Sequence, residues 1–287
     1  MPDELSLLSL ILTLRPTQAW PTPSHVGRAA HALLFDAVRQ VDAALADELH
    51  AGDDLRPFTV SDLFGYSHRR GLQPDQVVTL RFTALTAPVA RALLAAAREG
   101  PLRIGAEVRL AEGELRVEAI TAEHQAQPWA GMTSYQDLSA PWLLGRSTPE
   151  RRLRLQFLSP TTFKSAGRHV PVPLPSLVFG SLLEKWNAFA PIAFPPEARR
   201  YADECLALSA YQLKSRAVAV KEGGLRIGAV GHARYTTTNY DRYWMSIIHL
   251  LADFAFYSSV GVGTGMGLGQ CRRIVDAEPQ PTAEARP

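Results

Sequence analysis

Residues Ser259–Gly269 read SVGVGTGMGLG, with glycine at every second position from 261 to 269. This density of glycine allows positive φ angles and close approach of the backbone to a neighbour or a ligand. The stretch contains no G-x-G-x-x-G, and no Gly-Lys-Ser/Thr follows it, so it is neither a dinucleotide fingerprint nor a P-loop. Two interpretations remain. The stretch is a tight crossover that packs the last strand beside a helix, or its amides and Arg272 bind phosphate.

The segments on either side of this loop follow the order of one α+β unit. Apolar residues recur at helical spacing before it, over Tyr240–Tyr257 with Asn239 as the expected N-cap, and a last strand follows over Gln270–Val275. Upstream, the pattern predicts a strand at Leu153–Phe157, a Pro-rich loop at Ser159–Pro175 and a helix at Ser176–Ala190. Two strands are then predicted, at Leu206–Val220 and Leu225–Tyr235. Strand, helix, two strands, helix and strand is a ferredoxin-like order.

A similar order is predicted for the first half of the chain. An apolar strand is expected at Leu5–Leu14, a helix or helix pair at Val26–His50 and a strand at Val77–Phe82. An Ala-rich helix at Pro88–Arg98 and two strands at Leu102–Ile104 and Leu115–Glu123 follow. We therefore predict an α+β protein of two tandem ferredoxin-like (RRM-like) domains with a C-terminal Gly-rich loop. The expected bounds are 1–127 for the first domain, 128–150 for a linker, 151–276 for the second domain and 277–287 for a disordered tail.

The charges of the chain are divided unevenly between its halves. The 287 residues carry 30 Lys and Arg against 28 Asp and Glu, a net charge of only +2. Residues 1–150 contain 13 Arg, no Lys and 18 acidic residues, a net charge of −5, whereas residues 151–275 contain 12 Arg, 4 Lys and 7 acidic residues, a net charge of +9. A basic half joined to an acidic half predicts a polyanion bound mainly against residues 151–275.

The sequence favours a cytoplasmic protein with no membrane partner. The apolar run Leu5–Leu14 follows two acidic residues, where a signal peptide has basic ones. The most apolar helix, at 244–260, carries a histidine and an aspartate and is shorter than the roughly 20 residues of a membrane span. Two cysteines, Cys205 and Cys271, are too few for a disulfide scaffold or a four-thiolate zinc site, so we expect no metal site and no cofactor.

Several stretches resemble one known family. Ser259-Val260-Gly261 and Gly267-Leu268-Gly269 are similar to the paired Gly-hydrophobic-Gly triplets of the CRISPR-associated repeat-processing endoribonucleases, the sixth Cas family, with serine in place of the first glycine. Leu45–Gly65 resembles the family stretch that carries a histidine, a short loop and a Phe-Thr-x-Ser turn. Leu158–Lys164 and Pro173–Trp186 resemble the segment that opens its second domain. The family has two ferredoxin-like domains side by side, which is the order predicted above.

The resemblance implies a catalytic site in the first domain. His50 matches the family's catalytic histidine, and Arg56 matches a position where relatives can carry a catalytic lysine. Arginine remains charged at any relevant pH, so it would stabilise a transition state but would be a poor proton donor. Phe35 matches a position that is tyrosine in some members, and a phenyl ring has no hydroxyl to donate. A His–Tyr–Lys triad is therefore not expected.

His31 is a second candidate, from helical spacing alone. Arg28, His31, Phe35 and Arg39 are spaced to share one face of the predicted helix, opposite its apolar stripe. That face is either an ordinary solvated surface or one that carries a second catalytic or RNA-contacting residue. For RNA contact beyond the catalytic site, we expect seven residues of the basic half: Lys164, Arg168, His169, Gly261, Gly267, Gly269 and Arg272.

By the family's chemistry, the chain is expected to be a metal-independent endoribonuclease that cleaves CRISPR repeat RNA by attack of a 2′-hydroxyl. His50 would act as general base or acid and Arg56 would offset charge on the phosphorane. The alternatives are a non-catalytic guide-RNA-binding subunit of a CRISPR effector complex, which Phe35 and Arg56 favour, and a structural adaptor that binds protein. The sequence leaves open whether the chain joins such an effector complex and whether two copies form a homodimer.

Overall fold

In the part of the chain that the structure describes, the strands form two antiparallel sheets and one short separate hairpin. The structure, a computed structural model, describes residues 5–21, 25–51, 55–66, 71–219 and 224–274. Each sheet has a ferredoxin-like strand order, in which the first strand of the unit is central and lies between the third strand and a strand from later in the unit. The predicted fold class is confirmed, and the tail expected at 277–287 lies outside the described residues.

The first sheet is built around the apolar strand β1. Its order is β2-β3-β1-β5-β4, from Phe58–Val60, Val78–Ala84, Leu7–Pro16, Gly113–Thr121 and Glu107–Leu110 respectively. Alternate residues Leu8, Leu10, Leu12 and Leu14 are buried in a single core cluster with residues of the helices. The opposite face of the strand begins with Leu7, which belongs to the core of the second unit. Strand β1 is therefore buried on both faces, as a central strand requires.

Three helices cover one face of this sheet: α1 (Gly27–Val41), α2 (Ala43–Ala51) and α3 (Ala87–Arg98). The helix pair allowed by the sequence is the observed arrangement, because Asp42 is extended and its side chain accepts a hydrogen bond from the Leu45 amide. The strand expected at Leu102–Ile104 is wrong. Leu102 instead donates its amide to the Ala96 carbonyl beyond the end of α3, and the chain turns at Gly105 before β4 begins.

The segment expected as a linker at 128–150 contains regular structure. Strand β6 (Gly131–Thr133) pairs with β1, and α4 (Tyr135–Leu143) packs against the last helix of the second unit. Ser134 caps α4, since its side chain accepts from the Asp137 amide at 3.0 Å. Hydrophobic periodicity is too weak over so short a segment to reveal these elements.

The second sheet has the order β10-β11-β7-β12. Its strands are Leu206–Ala219, Leu225–Thr237, Arg152–Thr161 and Cys271–Ile274, and helices α5 (Pro175–Phe189), α6 (Glu197–Cys205) and α7 (Arg242–Ser258) accompany it. The expected loop at 159–175 contains a hairpin of β8 (Phe163–Ser165) and β9 (Arg168–Val170). The N-cap of α7 is Asp241, which accepts from the Trp244 amide at 3.0 Å, and not the expected Asn239. In the described part of the chain, no helix combines the length and hydropathy needed to cross a bilayer.

A buried arginine joins the two units. Arg81 on β3 is 1% exposed. Its Nε donates to Ser9 Oγ at 2.7 Å, its Nη1 donates to Gln270 Oε1 at 2.6 Å, and its Nη2 donates to the Phe256 carbonyl. The guanidinium also lies over the Trp129 ring, 5.2 Å from its centroid. Burial lowers the pKa of Arg81 to about 9. One side chain of the first unit thus holds the end of α7 and the start of β12.

A histidine on α7 connects the second unit to α4. Arg273 Nη1 donates to His249 Nδ1 at 2.9 Å, so Nε2 carries the proton and donates to the Glu150 carbonyl at 2.8 Å. The imidazole stacks on Trp142 with centroids 4.7 Å apart. Burial lowers the pKa of His249 to about 4, and the charge of Arg273 acts in the same direction. His249 is thus a neutral, fully hydrogen-bonded packing residue.

Candidate active site

The Gly-rich stretch crosses from the second unit onto helix α1. A 3₁₀ turn at Thr264–Met266 lies against the start of α1, and Gly267 pairs with Ser61 just after β2. Glycine is required on both sides of this contact. A Cβ at Gly27 would lie 2.0 Å from the Met266 carbonyl oxygen, and one at Gly267, which has a φ of +88°, would lie 2.8 Å from a ring carbon of His25. The loop therefore brings backbone of the second unit onto residues of the first.

His31 lies directly under this turn. Its Nδ1 contacts the Gly265 carbonyl oxygen at 2.8 Å. Because a carbonyl only accepts, Nδ1 must carry the proton, which leaves Nε2 as the proton-accepting nitrogen of the neutral ring. Burial lowers the pKa of His31, the hydrogen bond to Gly265 opposes it, and the charge of Arg56 and the neighbouring imidazole of His50 lower it further. His31 is thus held as a neutral base with a defined tautomer.

His50 and Arg56 lie beside His31, across an aromatic floor. The Phe35 ring centroid is 4.8 Å from that of His31 and 6.2 Å from that of His50. Phe58 lies 5.5 Å from both His31 and Phe35. His50 is exposed in the last turn of α2. The structure therefore brings together the three catalytic candidates of the sequence analysis, and the ring of Phe35 lies against both imidazoles.

Arg56 is held at the end of α2 by backbone. Its Nη1 donates to the Leu49 carbonyl, one of the last carbonyls of the helix, which have no partner within the helix itself. This contact keeps the guanidinium next to His50, the neighbour of Leu49 in sequence. The charge of Arg56 also acts on His31, which locates it within the same cluster.

A basic surface continues from the Gly-rich turn. Lys164 and Arg168 are exposed on the β8–β9 hairpin together with His169. Burial lowers the pKa of His169, and the charges of Arg226 and Lys164 add to the effect. Arg226 on β11 also lies beside Gly263. The sequence analysis did not identify Arg226 as a candidate. Its position next to the hairpin follows from the packing of β11 against β9, which no local pattern shows. These four residues form a basic patch, called the hairpin patch, and its Arg226 lies beside Gly263, two residues before Gly265.

The other predicted RNA contacts are placed differently. The amide of Gly261 donates to Ser181 Oγ at 2.9 Å and that of Gly269 donates to the Pro160 carbonyl at 3.1 Å. These two amides are used within the protein, which favours the crossover interpretation of the Gly-rich loop. Arg272 donates to Gln156 Oε1 at 2.8 Å and lies over Trp129, so the structure does not bring it into the histidine cluster.

A buried lysine anchors the loop at its start. Lys185 Nζ donates to the carbonyls of Ser258 and Ser259, at 2.9 and 3.2 Å, and contacts Thr264 Oγ1 at 3.3 Å. These bonds satisfy carbonyls at the end of α7 and reach into the 3₁₀ turn. Burial lowers the pKa of Lys185 to about 7. A lone lysine in a helix gives no sequence pattern that would have identified this role.

Ser259, the residue in place of the family glycine, carries backbone strain. Its φ of 53° and ψ of −178° lie in a region that glycine alone adopts readily, and its Oγ contacts Gln270 Nε2 at 3.1 Å. We expect Ser259→Ala to lower the free energy of unfolding by about 1–2 kcal/mol, because it loses the hydrogen bond and keeps the strain. Ser259→Gly also loses the bond but relieves the strain, so it should be more stable than the alanine variant by about 1 kcal/mol. Urea unfolding measures both, and an alanine variant as stable as the glycine variant would contradict the strain.

Comparison with known proteins finds one family in both halves of the chain. Residues 155–271 match the family model described as CRISPR-associated endoribonuclease Cas6, and residues 6–88 match the Cas6 N-terminal domain. The CRISPR-associated endoribonuclease Cas6 of Mycobacterium tuberculosis is 36% identical over 124 residues. That alignment covers 42% of this chain and 38% of the relative, so it spans about two-fifths of the relative's length.

Solved structures of similar proteins share the whole fold. A Cas6 product complex has a TM-score of 0.75 and 27% identity, over 94% of this chain and 99% of that one. A Cas6 substrate mimic complex has a TM-score of 0.72 and 27% identity, over 95% of this chain and 100% of that one. A Cas6-related protein from Pyrococcus furiosus, with a TM-score of 0.59, 12% identity and coverage of 95% and 100%, shows the fold alone.

Proposed function

Because this chain belongs to the Cas6 family of CRISPR-associated endoribonucleases, we propose that it cleaves CRISPR repeat RNA without a metal ion, by attack of a 2′-hydroxyl on the adjacent phosphate. The observation that carries the proposal is the cluster of His31, His50 and Arg56 around Phe35, closed on one side by the Gly265 carbonyl. Such a cluster supplies a base, an acid and a cation, which is what transesterification of RNA needs.

His31 is the base of this mechanism. Its Nε2 removes the proton from the 2′-hydroxyl while the Gly265 carbonyl holds the proton on Nδ1. The 2′-oxygen bonds to phosphorus, and the bond from phosphorus to the 5′-oxygen breaks. The lowered pKa of His31 keeps it unprotonated at neutral pH, so protonation of His31 should slow cleavage only below pH 6.5.

His50 is the acid, and Arg56 stabilises the transition state. His50 protonates the departing 5′-oxygen, which yields a 5′-hydroxyl and a 2′,3′-cyclic phosphate, and the two histidines then exchange protons with water. Arg56 offsets the negative charge on the phosphorane, because a guanidinium presents a planar set of donors to phosphate oxygens. Phe35 cannot transfer a proton, so both transfers fall to the two imidazoles.

The hairpin patch would hold the RNA backbone leading to this cluster. Lys164, Arg168 and Arg226 are positively charged and lie on the side of the Gly-rich turn that continues into the basic second unit. Phosphate contacts of this kind position nucleic acid and weaken as salt rises. The net charge of +9 over residues 151–275 supports the same placement.

The proposal is tested with repeat RNA in the presence of EDTA. We expect cleavage in EDTA, and no cleavage when the nucleotide before the scissile phosphate is replaced by its 2′-deoxy form. His50→Ala should lower the single-turnover rate by about 10²–10⁴-fold, since it removes the acid. A requirement for a divalent metal, or an unchanged rate in His50→Ala, would exclude this mechanism.

The same assay distinguishes a binding subunit from an enzyme. If the chain binds repeat RNA tightly and leaves both the natural and the 2′-deoxy RNA intact, it is a guide-RNA-binding subunit and not a nuclease. Phe35 keeps this alternative open, because a site without the tyrosine of some relatives has one proton-transfer group fewer.

A further inference from the structure

A second histidine of the first unit contacts the same turn as His31. His25 Nε2 lies 2.7 Å from the Met266 carbonyl oxygen, and its Nδ1 lies 2.8 Å from Asp62 Oδ2. A carbonyl and a carboxylate are both acceptors, and a neutral imidazole has only one N–H to donate. The two contacts can be satisfied together only by the doubly protonated ring. The geometry therefore requires a His25 imidazolium.

Asp62 is fixed so that it can act as the counter-ion. Its other oxygen, Oδ1, accepts from the amides of Val26 and Leu63, each at 2.9 Å. These bonds tie the carboxylate to the first residues before α1 and to its own loop. The His25 side chain is 9% exposed and that of Asp62 is 21% exposed, so the pair is shielded from solvent ions. Asp62 thus presents one oxygen to His25 in a set direction.

The turn links His25 to the base of the proposed reaction. Met266 and Gly265 are consecutive, and their carbonyls accept from His25 and His31 respectively, at 2.7 and 2.8 Å. Both histidines lie at the N-terminal end of α1, which begins at Gly27 so that the turn can approach. Movement of the turn away from His25 would withdraw the carbonyl that defines the His31 tautomer.

We propose that the His25 imidazolium, paired with Asp62, is a positioning residue that holds the Thr264–Met266 turn and thereby keeps the proton of His31 on Nδ1. The proposal rests on the function proposed above, in which His31 Nε2 is the base. His25 itself contacts neither His50 nor Arg56 in the described contacts, so its effect on the reaction passes through the turn.

The clamp depends on pH. Burial acts to lower the pKa of His25, but the hydrogen bond and charge of Asp62 and the Met266 carbonyl outweigh it, so the pKa is raised. The clamp is therefore complete below the ordinary value of about 6.5 and is lost as pH rises through the raised pKa. Among the described residues, the titratable groups around it are Asp62, Tyr66 beside that carboxylate, His31 farther along α1, and Lys185, which contacts Thr264. Loss of the clamp should set an alkaline limb on the cleavage rate.

Two substitutions of His25 separate its roles. In His25→Ala the turn loses its donor, and we expect the single-turnover rate to fall about 10- to 100-fold, as for a misplaced catalytic group. In His25→Gln the amide can still donate to the Met266 carbonyl without titrating. That variant should keep the rate at neutral pH within about threefold of the original and lose the contribution of His25 to the alkaline limb, whereas the contributions of the proposed acid His50 and of Lys185 would persist. Thermal unfolding of each variant confirms that it is folded.

The tautomer of His31 gives a readout that does not depend on cleavage. Imidazole ¹⁵N shifts should show the Nδ1–H form of His31 in the original chain and in His25→Gln, and a mixture of tautomers in His25→Ala. The proposal would be overturned if His25→Ala kept both the Nδ1–H form of His31 and the original cleavage rate. It would also be overturned if the alkaline limb were unchanged in His25→Gln. If the original chain cuts no RNA, the proposed function fails, yet the ¹⁵N shifts still decide whether the clamp exists.

Discussion

His31→Ala is expected to lower the single-turnover rate of repeat-RNA cleavage by about 10²–10⁴-fold, the effect of removing a general base. The reason is the arrangement of the ring, which donates through Nδ1 to the Gly265 carbonyl and keeps Nε2 for the 2′-hydroxyl. RNA affinity should change little, since the hairpin patch remains. Rate and affinity are measured separately, by single-turnover cleavage and by filter binding in EDTA.

The matched control for this prediction is His124→Ala. His124 is exposed on the segment after β5 and contacts the Ala130 carbonyl at 3.3 Å, outside the histidine cluster. The His124→Ala variant should therefore cleave RNA at the rate of the original chain. The double variant of His31 and His50 should lose little more than the worse single variant, because residues that act as a unit are not additive. A His31→Ala rate within threefold of the original would show that His31 belongs to a solvated helix face and not to the catalytic group.

The largest expected effect on stability is that of Arg81→Ala, a loss of about 3–5 kcal/mol in the free energy of unfolding, summed over the buried acceptors that lose their donor. The guanidinium is buried and donates to Ser9, Gln270 and the Phe256 carbonyl, so its removal leaves acceptors in both units without a partner. The loss also uncouples the end of α7 from β3. The cleavage rate per folded molecule of Arg81→Ala should therefore also fall, because the Gly-rich loop begins at that end of α7.

Urea unfolding of Arg81→Ala and of Arg98→Ala tests this prediction. Arg98 is exposed in the last turn of α3, and its replacement should change the free energy of unfolding by no more than about 0.5 kcal/mol. A loss below 1 kcal/mol for Arg81→Ala would mean that the buried arginine is not what joins the two units.

Much of the fold could be predicted because its longest elements have strong local patterns. The apolar run of β1, the periodic helices α1 and α3, and the strand pair β10–β11 are all where the sequence places them, within a few residues. The errors lie in short elements. The β8–β9 hairpin has three residues on each side, and Leu102 is buried without belonging to a strand. Apolar content alone cannot separate such cases.

The sequence by itself determined the ferredoxin-like order through local patterns and the basic second half through its composition, and the resemblance of Leu45–Gly65 to one family made His50 and Arg56 candidates. The tertiary structure alone decided how the Gly-rich loop is used. Gly265 and His31 are 234 positions apart, and Met266 and His25 are 241 apart. Helical spacing left His31 either on a solvated face or in a site. The packing of the second unit onto α1 places a carbonyl against Nδ1, which sets the tautomer, and no local pattern contains that contact.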